Sequence, residues 1–182
     1  MKIGICGSHR TGKTTLAQAI ANKTGTNLVK TDTNAVFIQQ GLHPSQSLDF
    51  STRLKIQKLI IQAAVKIWQT DNFVTDRTPI DFMAYTLAEI QGDTEVDFVE
   101  LEAYLTECFA VTNQIFSKLI VVQPAIPLVY ETGKAALNKS YMEHLNIIVQ
   151  GLCNDERLQC PTTIIPRDIV NLQKRVSIAI LK

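Results

Sequence analysis

The 182-residue sequence has little that would place it in a membrane, around a structural metal or on a polyanion. Its longest apolar run, near residues 119–130, is broken by Pro124 and Pro127 and falls short of the roughly 20 consecutive apolar residues that a bilayer-spanning helix needs. The four cysteines, Cys6, Cys108, Cys153 and Cys160, show neither C-x-x-C pairing nor a companion histidine pattern. That argues against zinc and leaves them as thiols of a reducing compartment, with Cys6 in a buried strand. Charge of one sign is missing as well. Lys and Arg number 18 against 17 Asp and Glu, a net charge of +1, so the overall balance recruits neither nucleic acid nor an anionic surface. Any anionic partner has to be met by local charge. Met1, Lys2 and Ile3 lead straight into a strand with no basic leader and apolar stretch, which sets the expectation of a soluble, cytoplasmic protein with no membrane partner. Repeats and low-complexity tracts are absent, and 46% hydrophobic with 19% charged residues suits one core, hence a single domain over residues 1–182.

What is present is an alternation of short apolar runs with longer helical patterns. Residues 2–6 form a β-rich run ending at Gly7, residues 14–23 have helical character and stop at Gly25, and residues 27–31 suit a second strand. Between residues 48 and 70, Ile56, Ile60, Ala63, Ala64 and Ile67 recur at three- and four-residue steps, the period of an amphipathic helix. Residues 72–76 make a third strand. Pro79 suits the first turn of a helix running to about residue 91, and a further helix follows from Phe98 to Phe116. Lys118-Leu119-Ile120-Val121-Val122 reads as a strand buried on both faces. A helix around residues 141–153, a strand at 162–165 and a helix at 168–181, with Asp168 placed to cap it, complete the pattern. The fold class is therefore α/β: a three-layer architecture with a five-stranded parallel sheet covered by helices on both faces and ligands at the carboxyl ends of its strands.

One motif carries specific chemistry. Gly7-Ser8-His9-Arg10-Thr11-Gly12-Lys13-Thr14 is a complete G-x-x-x-x-G-K-T between a strand and a helix, with Thr15 continuing into that helix. Glycines let the backbone curl so that its N–H groups face phosphate oxygens, and the helix N-terminus adds a favourable dipole. In this phosphate-binding loop Lys13 reaches the β- and γ-phosphates of ATP and the Thr14 hydroxyl holds Mg²⁺. His9 and Arg10 either touch phosphate or face water. Phosphoryl transfer also needs a metal-organising carboxylate and a group that takes the acceptor's proton. Asp76, at the end of the Phe73-Val74 run, and Asp32, at the end of the second strand, are the candidates, and Arg77 supplies a fixed charge for the transferring phosphoryl group. Each carboxylate has a plainer alternative as a helix cap.

The segment Asp49-Phe50-Ser51-Thr52-Arg53, a helix, and then Asn72-Phe73-Val74-Thr75-Asp76-Arg77-Thr78-Pro79-Ile80-Asp81-Phe82-Met83-Ala84-Tyr85 resembles the thymidylate kinase and deoxynucleoside kinase group. It is also similar to phage nicotinamide riboside kinase-like P-loop proteins, which carry D-R-[ST]-x-x-D-x-x-A-Y. The resemblance covers the topology of almost the whole chain and motif-level identity over about residues 1–20 and 48–86. It implies that Arg53 faces the acceptor, that Phe50 and Tyr85 help wall its pocket, that Asp76 and Arg77 meet the metal and phosphates, and that Asp32 meets the acceptor hydroxyl. Such a protein is either cellular or phage-encoded and active in a host cytoplasm. Arg53 as a solvated helix residue, and the two aromatics as core, are the alternatives.

A lid is expected over about residues 126–141, where nucleotide kinases carry several arginines. Here only Lys134 and Lys139 are available. After the last strand, Arg167 lies in the loop that borders adenine in such folds. The leading expectation is an ATP- and Mg²⁺-dependent kinase for a hydroxyl of a nucleoside or nucleotide. The main alternative is a kinase for 5-hydroxymethyl-pyrimidine bases within DNA, for which an arginine-poor lid suits an acceptor held by its polymer. A P-loop ATPase and a small-metabolite kinase stay open. Asn138-Lys139-Ser140-Tyr141 stops short of the N-K-x-D guanine signature. Monomer and homodimer are both compatible with two long amphipathic helices.

Overall fold

All five apolar runs become strands: β1 (Lys2–Cys6), β2 (Asn27–Val29), β3 (Phe73–Thr75), β4 (Lys118–Val122) and β5 (Thr162–Ile165). The computed structural model describes residues 1–44, 46–128 and 138–181. Every neighbouring pair is parallel, in the order β2-β3-β1-β4-β5. Parallel neighbours cannot be joined by a hairpin, so each connection carries a helix back across a face of the sheet. The helices are α1 (Lys13–Thr24), α2 (Thr33–Gln39), α3 (Phe50–Ile67), α4 (Pro79–Ala88), α5 (Phe98–Ile115), α6 (Lys139–Cys153) and α7 (Leu172–Ile180).

The period-2 alternation of the strands divides the interior into two layers. Ile3, Ile5, Val74, Ile120 and Val122 pack against Leu16, Ala17 and Ile20 of α1 and Val176 and Ala179 of α7. Cys6, Phe73, Leu119 and Val121 face the other way, into a larger cluster built from α2 to α6 that holds Trp68, Tyr104, Phe109 and Phe116. Gly4 sits where this layer is tightest. A Cβ there would lie 2.5 Å from Thr78 Cγ2 and 2.9 Å from Leu119 Cδ2.

Several boundaries differ from the sequence expectation for identifiable reasons. Strand β2 ends at Val29, and the following residues form α2, whose first turn is capped by Asp32 accepting from the Ala35 amide at 3.1 Å. Asp168 does not cap the last helix. Asn171 does, accepting from the Lys174 amide at 3.1 Å, so α7 begins at Leu172. Residues 166–170 form a turn instead, closed by Ile169 N–H to the Pro166 carbonyl. Asp49 caps α3 through the Thr52 amide and hydroxyl. Among the described residues no helix is long and apolar enough to cross a membrane.

Candidate active site

Strand β1 is the middle strand and its last residues, Ile5 and Cys6, are fully buried, so the chain leaves the sheet at its most enclosed point. It turns at Gly7, whose φ of 145° and closeness to β4 exclude a side chain: a Cβ would stand 2.2 Å from the Val122 carbonyl oxygen. The loop then passes through left-handed Arg10 and Gly12, with φ of 60° and 85°, and α1 starts at Lys13. Gly12 brings no side chain to cap that helix and no acidic residue stands in its first turn, so the helix N-terminus is open to an anion. Thr11 braces the loop from within, donating its hydroxyl to the Ser8 carbonyl at 2.9 Å. The Ser8 hydroxyl is buried with no hydrogen-bond partner among the described residues, a polar group the loop leaves for a ligand.

A cavity of about 610 Å³ opens over this loop and is lined by His9, Arg10, Gly12, Lys13, Thr14, Thr15, Asp76 and Arg77. Its remaining walls are Ile126, Pro127 and Leu128 after β4, and Val170, Leu172 and Arg175 beside β5 and α7. Lys13 is 7% exposed, and its ammonium donates to the carbonyls of Gly7 at 2.7 Å and Ser8 at 2.8 Å. Behind it stands the Asp81 carboxylate, Oδ1 3.7 Å from Lys13 Nζ. Oδ1 of Asp81 accepts from the Gly7 amide at 3.2 Å, and Oδ2 from the Thr78 amide and hydroxyl at 2.9 Å each.

Burial dominates the electrostatics of this cluster. It lowers the Lys13 ammonium from 10.5 to about 8, against the pull of Asp81 and with a further push from Arg77. It also raises the Asp81 carboxyl, against Lys13, Arg77 and the Thr78 hydrogen bonds. Both members of the pair thus move toward their neutral forms, because desolvation outweighs their mutual attraction. Arg77 is raised: burial opposes its charge, and Asp81, Tyr85 and Asp76 overcome that. Its guanidinium lies 5.9 Å from the centroid of the Tyr85 ring.

The Thr14 hydroxyl donates to Asp76 Oδ2 across the mouth of the loop. A hydroxyl and a carboxylate oxygen side by side, both facing the cavity, are hard donors of the kind Mg²⁺ takes, so the residues present fit that ion.

The other expected residues are more scattered. Asp32 is exposed, occupied as the α2 cap, and not part of the cavity wall. Arg53 is 3.7 Å from Glu89, which caps the end of α4, and Phe50 is buried in the larger core cluster. The Tyr85 hydroxyl hydrogen-bonds the His9 backbone, and burial raises its ionisation above the usual phenol range. Arg167 lies away from the cavity, held by Glu143 through contacts of 2.5 and 2.7 Å, and on the side of β5 and α7 it is Arg175 that joins Arg10 and Arg77 in lining it. Lys139 begins α6 and borders a second cavity of about 280 Å³ that shares Ile126, Pro127 and Leu128. Lys134 lies outside the described residues, as does most of the expected lid.

Three residues were not expected at the site. Asp81 is the second Asp of the D-R-[ST]-x-x-D pattern, and that repeat was its only signal. Arg175 is 2% exposed and donates from Nε to the Ile169 carbonyl at 2.7 Å and from Nη1 to the Thr11 carbonyl at 3.2 Å. Tyr141, at the start of α6, has its ring 5.7 Å from that of His9, with Glu89, Tyr85 and Arg53 close enough to act on its ionisation.

Fold and loop together define a three-layer α/β P-loop protein. A family model described as an AAA domain matches residues 2–119, and the chain belongs to that family. No curated protein matches the sequence. Among solved structures, deoxyadenosine kinase from M. mycoides with bound dCTP aligns over 97% of this chain and 95% of its own, with a TM-score of 0.67 and 20% identity. The same enzyme with bound dATP gives 0.65 and 19% over the same shares. The YorR protein of Bacillus subtilis, in complex with phosphorylated GDP, aligns over 97% of this chain and 92% of its own at a TM-score of 0.60 and 11% identity. These similarities establish a fold shared with P-loop kinases.

Proposed function

We propose that the protein is a kinase that transfers the γ-phosphoryl group of Mg-ATP to a hydroxyl of a nucleoside or nucleotide. The observation that carries this reading is the convergence on one cavity of the phosphate-binding loop with Lys13, the Thr14–Asp76 pair and the Arg77 guanidinium. Backbone amides and Lys13 hold the β- and γ-phosphates, and Arg77 stabilises the charge that spreads over the transferring group. Thr14 and Asp76 would hold a magnesium ion, which when bound neutralises phosphate charge. Asp32, capping α2 outside the cavity wall, does not take the acceptor's proton in this reading; of the two candidate carboxylates only Asp76 faces the cavity. Arg53 and Tyr85, with Tyr141 beside them, face the acceptor, while Phe50 packs in the core behind them, and the segment at about 126–141 serves as a lid of the single domain. The ligands recorded with the kinase-fold neighbours, dCMP, dCTP, dATP and phosphorylated GDP, support an acceptor of nucleoside or nucleotide class.

Incubation with ATP, Mg²⁺ and a panel of nucleosides, monophosphates and hydroxymethyl-pyrimidine oligonucleotides tests this. ADP release that depends on a free nucleoside or nucleotide supports the reading, and release that depends only on the oligonucleotide moves the acceptor into DNA. The AAA-domain match favours a second reading, an ATPase with water as acceptor. Equal hydrolysis with and without every acceptor would replace the kinase reading by that one.

A further inference from the structure

Asp81 stands at the start of α4, where a carboxylate three residues after Thr78 is the usual partner in a capping box. Capping accounts for only half of this side chain. Oδ2 takes both Thr78 hydrogen bonds, while Oδ1 turns away from α4 and meets the phosphate-binding loop, accepting from the Gly7 amide and facing the Lys13 ammonium. The carboxylate is 1% exposed, so these protein donors replace its water. Lys13 Nζ is in turn surrounded by three oxygens, those of Gly7, Ser8 and Asp81.

The geometry points to Asp81 as the positioning residue of the phosphate-binding loop, fixing the Lys13 ammonium and the Gly7 amide against the end of β3 before nucleotide arrives. The inference rests on the nucleotide-binding reading given above. A lysine on a flexible four-carbon stem loses rotamer freedom when it is held to phosphate. A lysine already restrained beside the loop loses less on binding, so part of the donor affinity is stored in Asp81. Because Asp76 and Arg77 directly follow β3 at the same end, one carboxylate also keeps the loop in register with the groups that act on the γ-phosphate.

Asp81→Asn separates the two roles. It keeps an oxygen for the Thr78 amide but presents an amide donor to Gly7 and Lys13. The test is calorimetric titration with a non-hydrolysable ATP analogue and Mg²⁺ of the natural chain, Asp81→Asn, Lys13→Ala and the double variant, with Thr78→Ala as the capping control. The expected result is a loss of about tenfold for Asp81→Asn alone but under about twofold when it is added to Lys13→Ala, because the residue acts through that lysine. Thr78→Ala lowers the melting temperature and leaves the analogue's affinity within about twofold. In turnover assays Asp81→Asn raises the KM for ATP, leaves that for the acceptor unchanged, and Asp81→Glu restores most of the loss. Equal losses in both backgrounds, or an Asp81→Asn affinity matching the natural chain, would overturn the assignment. A natural chain that does not bind the analogue would remove the nucleotide reading itself, a separate outcome. If Asp81→Asn does not fold, Asp81→Ser, which keeps one oxygen for the cap and no charge, replaces it in the cycle.

Discussion

Arg175 and Thr11 lie 164 residues apart in the chain, yet the Arg175 guanidinium donates to the Thr11 carbonyl at 3.2 Å and so ties α7 to the phosphate-binding loop. Its Nε holds the Ile169 carbonyl at 2.7 Å, which fastens the segment bearing Val170 and Leu172 to the same point. Arg175→Ala leaves the buried Thr11 carbonyl and the half-buried Ile169 carbonyl without that donor, at a cost of about 2–5 kcal/mol in stability. Urea unfolding with and without Mg-ATP checks this. The nucleotide is expected to stabilise the variant less than the natural chain, because the loop it binds has lost a brace. Arg175→Lys recovers only part of the loss, since a single head group cannot reproduce the fork.

Lys13 sets the pH dependence of nucleotide binding. Its folded value of about 8 lies below its ordinary 10.5, so the charged form is disfavoured by folding. The stability penalty is fully present below about pH 8 and is relieved as pH rises toward 10.5. Binding has the opposite sign, because phosphate requires the ammonium. ATP affinity of the free protein is therefore flat up to about pH 8 and falls by up to about tenfold per unit above it, measured by titration across pH 6.5 to about 9.5. Lys13→Arg removes that limb while changing the contact geometry.

The two tight glycines fail in different ways. In Gly4→Ala the new methyl meets side chains of Thr78, Leu119 and Phe116, which can shift, so the expected cost is about 1–3 kcal/mol in thermal or urea unfolding. In Gly7→Ala the methyl meets the Val122 backbone carbonyl at 2.2 Å, which cannot yield without moving β4. That variant is expected to lose Mg-ATP binding altogether, with at least as large a fall in stability.

Arg53 and Glu89 pair at 3.7 Å near Tyr85 and Tyr141 and away from the cavity walls. Arg53→Ala is expected to raise the acceptor KM by about tenfold or more and to leave the ATP KM within about twofold. Equal changes in both would place Arg53 in the frame of the fold instead of at the acceptor.

Much of this was legible because the signals were local. Lys118–Val122 and Thr162–Ile165 are uninterrupted β-rich runs, and the P-loop pattern specifies its own strand–loop–helix setting. Helix α2 was missed because Thr33–Gln39 spans fewer than two full turns, too few for a period to declare itself, and because a carboxylate that caps a helix looks the same in sequence as one that ends a strand. Arg175 was missed for another reason. On its own helix it is one polar residue among several, and only the approach of a loop from the other end of the chain gives it partners. Arg167 carried the more suggestive neighbours and turned instead to Glu143.

The parallel order β2-β3-β1-β4-β5 also sets when, during synthesis, the site can exist. The loop is written among the first residues, but Gly7 is seated against Val122 and Thr11 is held by Arg175. A chain emerging from the ribosome therefore carries the complete phosphate-binding motif before β4 and α7, the elements that brace it, have been made.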